Sequence, residues 1–162
     1  YNAGFYLPSE KLVRHYDVDD FQDAVERSIS ADNPTEVRYH LARAIDLYKA
    51  PFLQTIEMSW VISRRDQLRG MYAKALIGMA RDARRREEKD VALSYFSRAI
   101  KEVPEREDVQ RDAIRLMIDL KRYEEALDQY RMLEYWIRDR MDIEPSRETR
   151  ELGDEIQMLI GS

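Results

Sequence analysis

From Asp19 onward, apolar residues recur at a helical period. Val37, Leu41, Ala44, Ile45 and Tyr48 share one face, as do Leu68, Tyr72, Ala75, Leu76, Met79, Ala80 and Ala83 at i, i+3, i+4 spacing. Asp19 followed by Gln22 is a capping-box pattern and predicts a helix to about residue 28. Asn33-Pro34-Thr35-Glu36 combines a cap residue, proline in the first helical position and an acid in the first turn. It predicts a second helix that ends before Pro51. An apolar loop through Phe52 and Leu53 to about Met58 follows, then a long helix over 59–88. Asp90 is the expected cap of the next helix, which runs to Val103 before Pro104. Further helices are expected over 106–121 and 124–141. Pro145-Ser146 opens a last one holding Leu152, Ile156, Leu159 and Ile160. Residues 1–16 differ. Phe5-Tyr6-Leu7, a Pro8-Ser9 turn, then Leu12, Val13 and Tyr16 read as a short hairpin, which would need a partner to be stable.

Two segments echo each other 34 residues apart. Ala92-Leu93 with Phe96 and Ala99 aligns with Ala126-Leu127, Tyr130 and Leu133, and Pro104 stands where a repeat would close. That period is the one of tetratricopeptide repeats, whose small residues let two antiparallel helices close up. The expected fold is therefore all-α, a tetratricopeptide-like antiparallel array of about seven helices with a short N-terminal β-hairpin. Such arrays present surfaces and carry no chemistry of their own.

Composition narrows this reading. A hydrophobic content of 44% excludes wholesale disorder, and 36% charged residues suit helices with wet outer faces. The absence of cysteine excludes disulfides and thiol catalysis and fits a reducing cytoplasm. No apolar run approaches the roughly 20 residues of a membrane span. A net charge of −5 argues against the domain coating DNA. Tyr1 with no Met before it suggests a piece of a longer chain.

Catalytic motifs are missing. The two histidines, His15 and His40, stand apart, and no HExxH, GxSxG, phosphate loop or calcium loop occurs. No enzyme activity, metal or cofactor is expected. The run Arg81-Asp82-Ala83-Arg84-Arg85-Arg86 suits a solvated helix end, where cations complement the macrodipole. The repeat register places Lys74, Ile77, Arg81 and Arg84 of the first repeat on a concave face, with Asp108, Arg111, Arg115 and Ile118 of the second. Five of these eight are cations, and none belongs to the apolar stripe, so the candidate partner-binding set is Lys74, Arg81, Arg84, Arg111 and Arg115. A basic concavity would favour acidic peptides or helices. Tyr95, Phe96, Tyr123, Tyr130 and Trp136 are expected in the core, with Phe52, Leu53 and Ile56 covering the junction with the early helices.

Asp17-Val18-Asp19 with Phe21 begins a longer series of landmarks. Leu47-Tyr48-Lys49-Ala50-Pro51-Phe52-Leu53 follows, then Trp60, Arg65, Leu68 and Tyr72, the Ala92 to Pro104 segment, Ala126 to Tyr130 and Pro145-Ser146. In this order they resemble the bacterial transcriptional activator domain of SARP- and AfsR-type regulators, over about residues 17–160. The family usually has glycine at Ala50 and near Lys121-Arg122. The resemblance implies that residues 1–16 end a winged-helix DNA-binding domain and that 17–162 form the activator domain. It implies a protein partner, either the transcription machinery or the chain's own DNA-binding domain, with DNA contacted through that N-terminal domain and not through this fragment. No membrane partner is implied, and a homodimer stays open. An adaptor unrelated to transcription and a sensor of small anions remain alternatives.

Overall fold

The computed structural model describes residues 17–161, and among them the chain is helical with no strand. The hairpin expected over 1–16 lies outside the described residues, as does His15. The helices are α1 (Asp17–Ser30), α2 (Pro34–Leu47), α3 (Ser59–Arg85), α4 (Lys89–Glu102), α5 (Glu107–Asp119), α6 (Tyr123–Met141) and α7 (Arg147–Ile160). Neighbours in sequence pack as neighbours in space: α1 on α2, α3 on α4 and α5 on α6, with α7 closing against α5 and α6.

Local chemistry explains most of the boundaries. Asn33 Oδ1 accepts the Glu36 N–H at 2.9 Å, and Ser146 Oγ accepts the Thr149 N–H at 3.3 Å. Both satisfy donors that a helix start leaves orphaned. Two expected caps are corrected. Asp19 lies inside the first turn of α1, where Asp17, Asp19 and Asp20 suit the positive end of the helix. Gln22 does not reach back to a cap; its amide oxygen accepts from Arg64 Nη2 on α3. Asp90 lies in the first turn of α4, and Glu88 occupies the cap position without a side-chain bond.

The reason for the second correction is the turn before it. Glu87 has φ 59°, and Lys121, 34 residues later, has φ 59° as well. At the first turn Glu87 N donates to Arg84 O at 3.1 Å and Glu88 N to Ala83 O at 3.0 Å. At the second, Lys121 N donates to Ile118 O at 2.8 Å and Arg122 N to Met117 O at 2.9 Å. This left-handed cap satisfies the last carbonyls and reverses the chain at once. α3 therefore stops at Arg85 and α4 begins before Asp90 could cap it.

Ala92 and Ala126 each have 0% exposure, and so do Phe96, Ala99 and Leu133 of the echoing segments. Tyr130 is buried, while Tyr95, Tyr123 and Trp136 are half-buried. At the other end, Phe21, Tyr48 and Tyr72 form a ring ladder. The Tyr48 and Tyr72 rings stack at 4.2 Å, and Tyr72 Oη accepts from Arg98 Nη2 at 2.8 Å, tying α2, α3 and α4 together. The following loop is held by Arg65. Its Nε donates to Phe52 O at 2.9 Å, and its Nη2 donates to Leu53 O at 2.7 Å and Ile56 O at 2.9 Å. Phe52 packs inward, but Leu53 and Ile56 are exposed, so the junction is covered by Phe52 and a polar clamp rather than by three apolar side chains. No described helix is long and apolar enough to cross a membrane.

Two substitutions probe this geometry. A non-glycine residue in the left-handed region costs about 1–2 kcal/mol, so Lys121→Gly should raise unfolding stability by roughly 1 kcal/mol in urea titration, offset in part by the entropy of glycine. Ala92→Leu should do the reverse, losing roughly 1–3 kcal/mol because a fully closed contact has no room for an isobutyl group.

Candidate functional site

From Gly70 on α3 to its C-cap Arg86, every exposed side chain is a cation: Lys74, Arg81, Arg84, Arg85 and Arg86. The one carboxylate of that stretch, Asp82, is 4% exposed. It accepts from Arg86 Nε at 3.0 Å, Arg85 Nη2 at 3.3 Å and Arg38 Nη1 of α2 at 3.5 Å. The basic run is thus more than a solvated helix end, since two of its arginines serve a buried acid. The i+3 and i+4 spacing from Asp82 is the sequence signal for those two, whereas Arg38 comes from another helix.

The five sequence-predicted cations fall into three environments. Arg81 and Arg84 bridge to α5: Arg81 Nη2 lies 3.4 Å from Asp112 and 3.8 Å from Asp108, and Arg84 Nη1 lies 3.3 Å from Asp112. Lys74 and Arg115 are exposed and make no ion pair among the described residues. Arg111 faces inward. Of the apolar residues placed on the face, Ile77 is buried at 5% exposure and belongs to the core, while Ile118 is half-buried. Arg84, Arg85, Lys89, Arg115, Ile118 and Glu155 line an open cleft of about 560 Å³.

Arg111 is the largest correction to the expected surface. Its Nη1 donates to Thr149 Oγ1 at 2.9 Å and to Ser146 Oγ at 3.0 Å, and lies 3.4 Å from Glu107 Oε2. Glu107 Oε2 also accepts from Thr149 Oγ1 at 2.5 Å and from Ser146 N at 3.1 Å. This cluster pins the start of α7 to α5. Thr149 is fully buried, so its hydroxyl depends on these partners. Burial alone would raise the Glu107 carboxyl, but the bonds from Thr149 and Ser146 and the Arg111 charge outweigh it and hold the carboxyl below the ordinary glutamate range. Farther along α7, a Cβ at Gly153 would overlap the Tyr130 ring, so only glycine allows α7 to cross α6 this closely. Arg111 therefore does not belong among the residues that can be changed without touching the fold.

Among the described residues no group of three or more His, Asp or Glu could hold a metal ion. His40 is half-buried against Tyr39, with ring centroids 5.2 Å apart, and its Nδ1 has no partner. The described residues therefore offer a helical scaffold, a cationic face on α3 and a polar latch under α7. The family model described as bacterial transcriptional activator domain matches residues 16–157. The chain belongs to this family. No curated protein and no solved structure matches it. The match spans all but the last helix turn, so the latch of α7 and the cationic face of α3 both lie within the family's domain.

The latch gives a pH dependence with a defined sign. A carboxylate whose folded pKa is depressed contributes stability in full above its unfolded value, near 4.3, and loses it as pH falls through the folded value. Glu107→Gln should therefore lower the melting temperature at neutral pH, by the equivalent of about 1–3 kcal/mol for a charged hydrogen-bonded group. The gap from the parent chain should close below about pH 4.3 in a thermal-melt series.

Proposed function

We propose that this chain is the non-enzymatic regulatory and protein-interaction module of a bacterial DNA-binding transcription regulator. Its membership of the bacterial transcriptional activator domain family carries the reading. The helix pairs α3–α4 and α5–α6, with equivalent alanines at their contacts and equivalent left-handed turns between them, support a tetratricopeptide-like arrangement. In this reading residues 1–16 end a winged-helix domain that reads DNA, and 17–162 regulate it in the cytoplasm. The module meets a protein partner, either the transcription machinery or its own reading head, on the face of Lys74, Arg81, Arg84 and Arg115. Arg111 supports that face from below by holding α7. The net charge of −5 favours a protein partner over duplex DNA for this module.

The test is deletion of residues 17–162 from a regulator that carries them. Reporter transcription should fall to background, while a mobility shift should still show the promoter bound by the reading head. Unchanged transcription would overturn the regulatory role, and loss of promoter binding would make the module part of the reading head.

A further inference from the structure

The exposed face of α3 has two properties that no other described helix combines. Its side chains from Gly70 to Arg85 are cationic wherever they are exposed, and two half-exposed glycines interrupt the face, Gly70 one turn before Lys74 and Gly78 between Lys74 and Arg81. At 100° per residue, Gly70, Lys74, Gly78, Arg81 and Arg85 fall on one side of the helix. A Cβ at Gly70 would meet nothing within 4 Å, so space lies open above the α3 backbone there. Gly78 differs: a Cβ there would press on Leu41 of α2, which explains that glycine by internal contact.

The cations are spaced for a helical partner. Lys74, Arg81 and Arg85 are seven and four residues apart, which a rise of 1.5 Å per residue converts to roughly 10 Å and 6 Å. A second helix lying alongside has the same rise, so carboxylates at i, i+7 and i+11 would meet all three. Gly70, one turn before Lys74, permits a close approach at that end of the run. The acids that already answer these cations lie elsewhere, with Asp108 and Asp112 on α5 and Asp82 below the surface. Arg85 keeps 68% of its side chain exposed while touching Asp82, and Arg81 keeps 48% while touching Asp108 and Asp112. Each has guanidinium donors left for a further acceptor.

We infer that the exposed face of α3 is a docking track for an acidic helix of a partner protein, with carboxylates seated on Lys74, Arg81 and Arg85 and the partner backbone passing over Gly70. The inference rests on the interaction role proposed above and names the chemistry of its partner. Duplex DNA is the competing occupant of any cationic track. It is disfavoured here because α5 lines the same side with Asp108, Asp112 and Asp119, which would repel a phosphate backbone. A narrow helix on α3 can avoid them.

The probe is an 18-residue alanine- and leucine-based helical peptide bearing Glu at i, i+7 and i+11, titrated into the 15N-labelled 162-residue chain. Amide shifts should concentrate between Gly70 and Arg86, and the peptide with Lys in place of Glu should cause none. Lys74→Glu combined with Arg85→Glu should weaken binding by about tenfold or more. Gly70→Leu, which leaves every charge in place, should also weaken it, whereas Asp112→Asn, which removes the nearer internal carboxylate of Arg81, should tighten it. Circular dichroism melts confirm that each variant is folded. Equal affinity in the double variant, shifts confined to another face, or a 20-base-pair duplex binding the same residues as tightly at physiological salt would each overturn the inference. If deletion of 17–162 abolishes transcription and the peptide still does not bind, the acidic partner alone is refuted and the regulatory role stands.

Discussion

Everything in the second half of the molecule depends on how closely two helices can approach at Ala92 and Ala126. Both alanines have no exposed surface, and each is followed four residues later by an aromatic ring that fills the space between pairs. A larger side chain would push the helices apart and pull Phe96 or Tyr130 out of the core. The same closeness forces an immediate reversal of the chain before each second helix. Glu87 and Lys121 supply it in a left-handed conformation that glycine would adopt more cheaply. The repeat is therefore held by burial at one point and permitted by strain at another, 34 residues apart in both cases.

That repeat has an open end, and α7 covers it by a different kind of interaction. Leu152 and Ile156 bury on the array, but the start of the helix is positioned by Glu107, Arg111, Ser146 and Thr149. Polar groups in this position discriminate geometry more sharply than apolar ones, because a small displacement leaves a buried hydroxyl and a carboxylate without partners. The crossing at Gly153 fixes the angle, since only there can the Tyr130 ring lie against the backbone. The apolar core gives α7 its affinity for the array, and the latch gives it a register.

Local signals are legible in the sequence and cross-helix ones are not. Asn33 and Ser146 cap helices through residues three positions away, and the alanines announce themselves by repetition, so both can be read along the chain itself. Arg65 stands out as a landmark but not as a clamp, because its acceptors are backbone carbonyls of a loop that only folding brings beside it. Arg111 shares the spacing of surface cations, and only the return of α7 onto α5 turns it inward. Asp90 and Asp19 are good cap residues by type, but left-handed turns and acidic first turns set the helix starts one or two residues earlier. Spacing identifies which face a residue occupies, and what comes to cover that face is decided by segments far away in sequence.

The electrostatics of α3 acquire their meaning from this arrangement. In an isolated helix the four exposed cations Lys74, Arg81, Arg84 and Arg85 would repel one another and weaken it. Here Asp82 from within, and Asp108 and Asp112 from α5, neutralise part of that charge without covering the face. The result is a set of arginines whose guanidinium groups are already oriented and partly desolvated before anything binds. An incoming carboxylate then loses less side-chain entropy in forming its bonds than it would on free arginines. The same internal acids limit how strongly the face can attract a dense line of phosphates. On the docking proposed above, pre-set cations on one helix with carboxylates beside them would select among anions by shape as well as by charge.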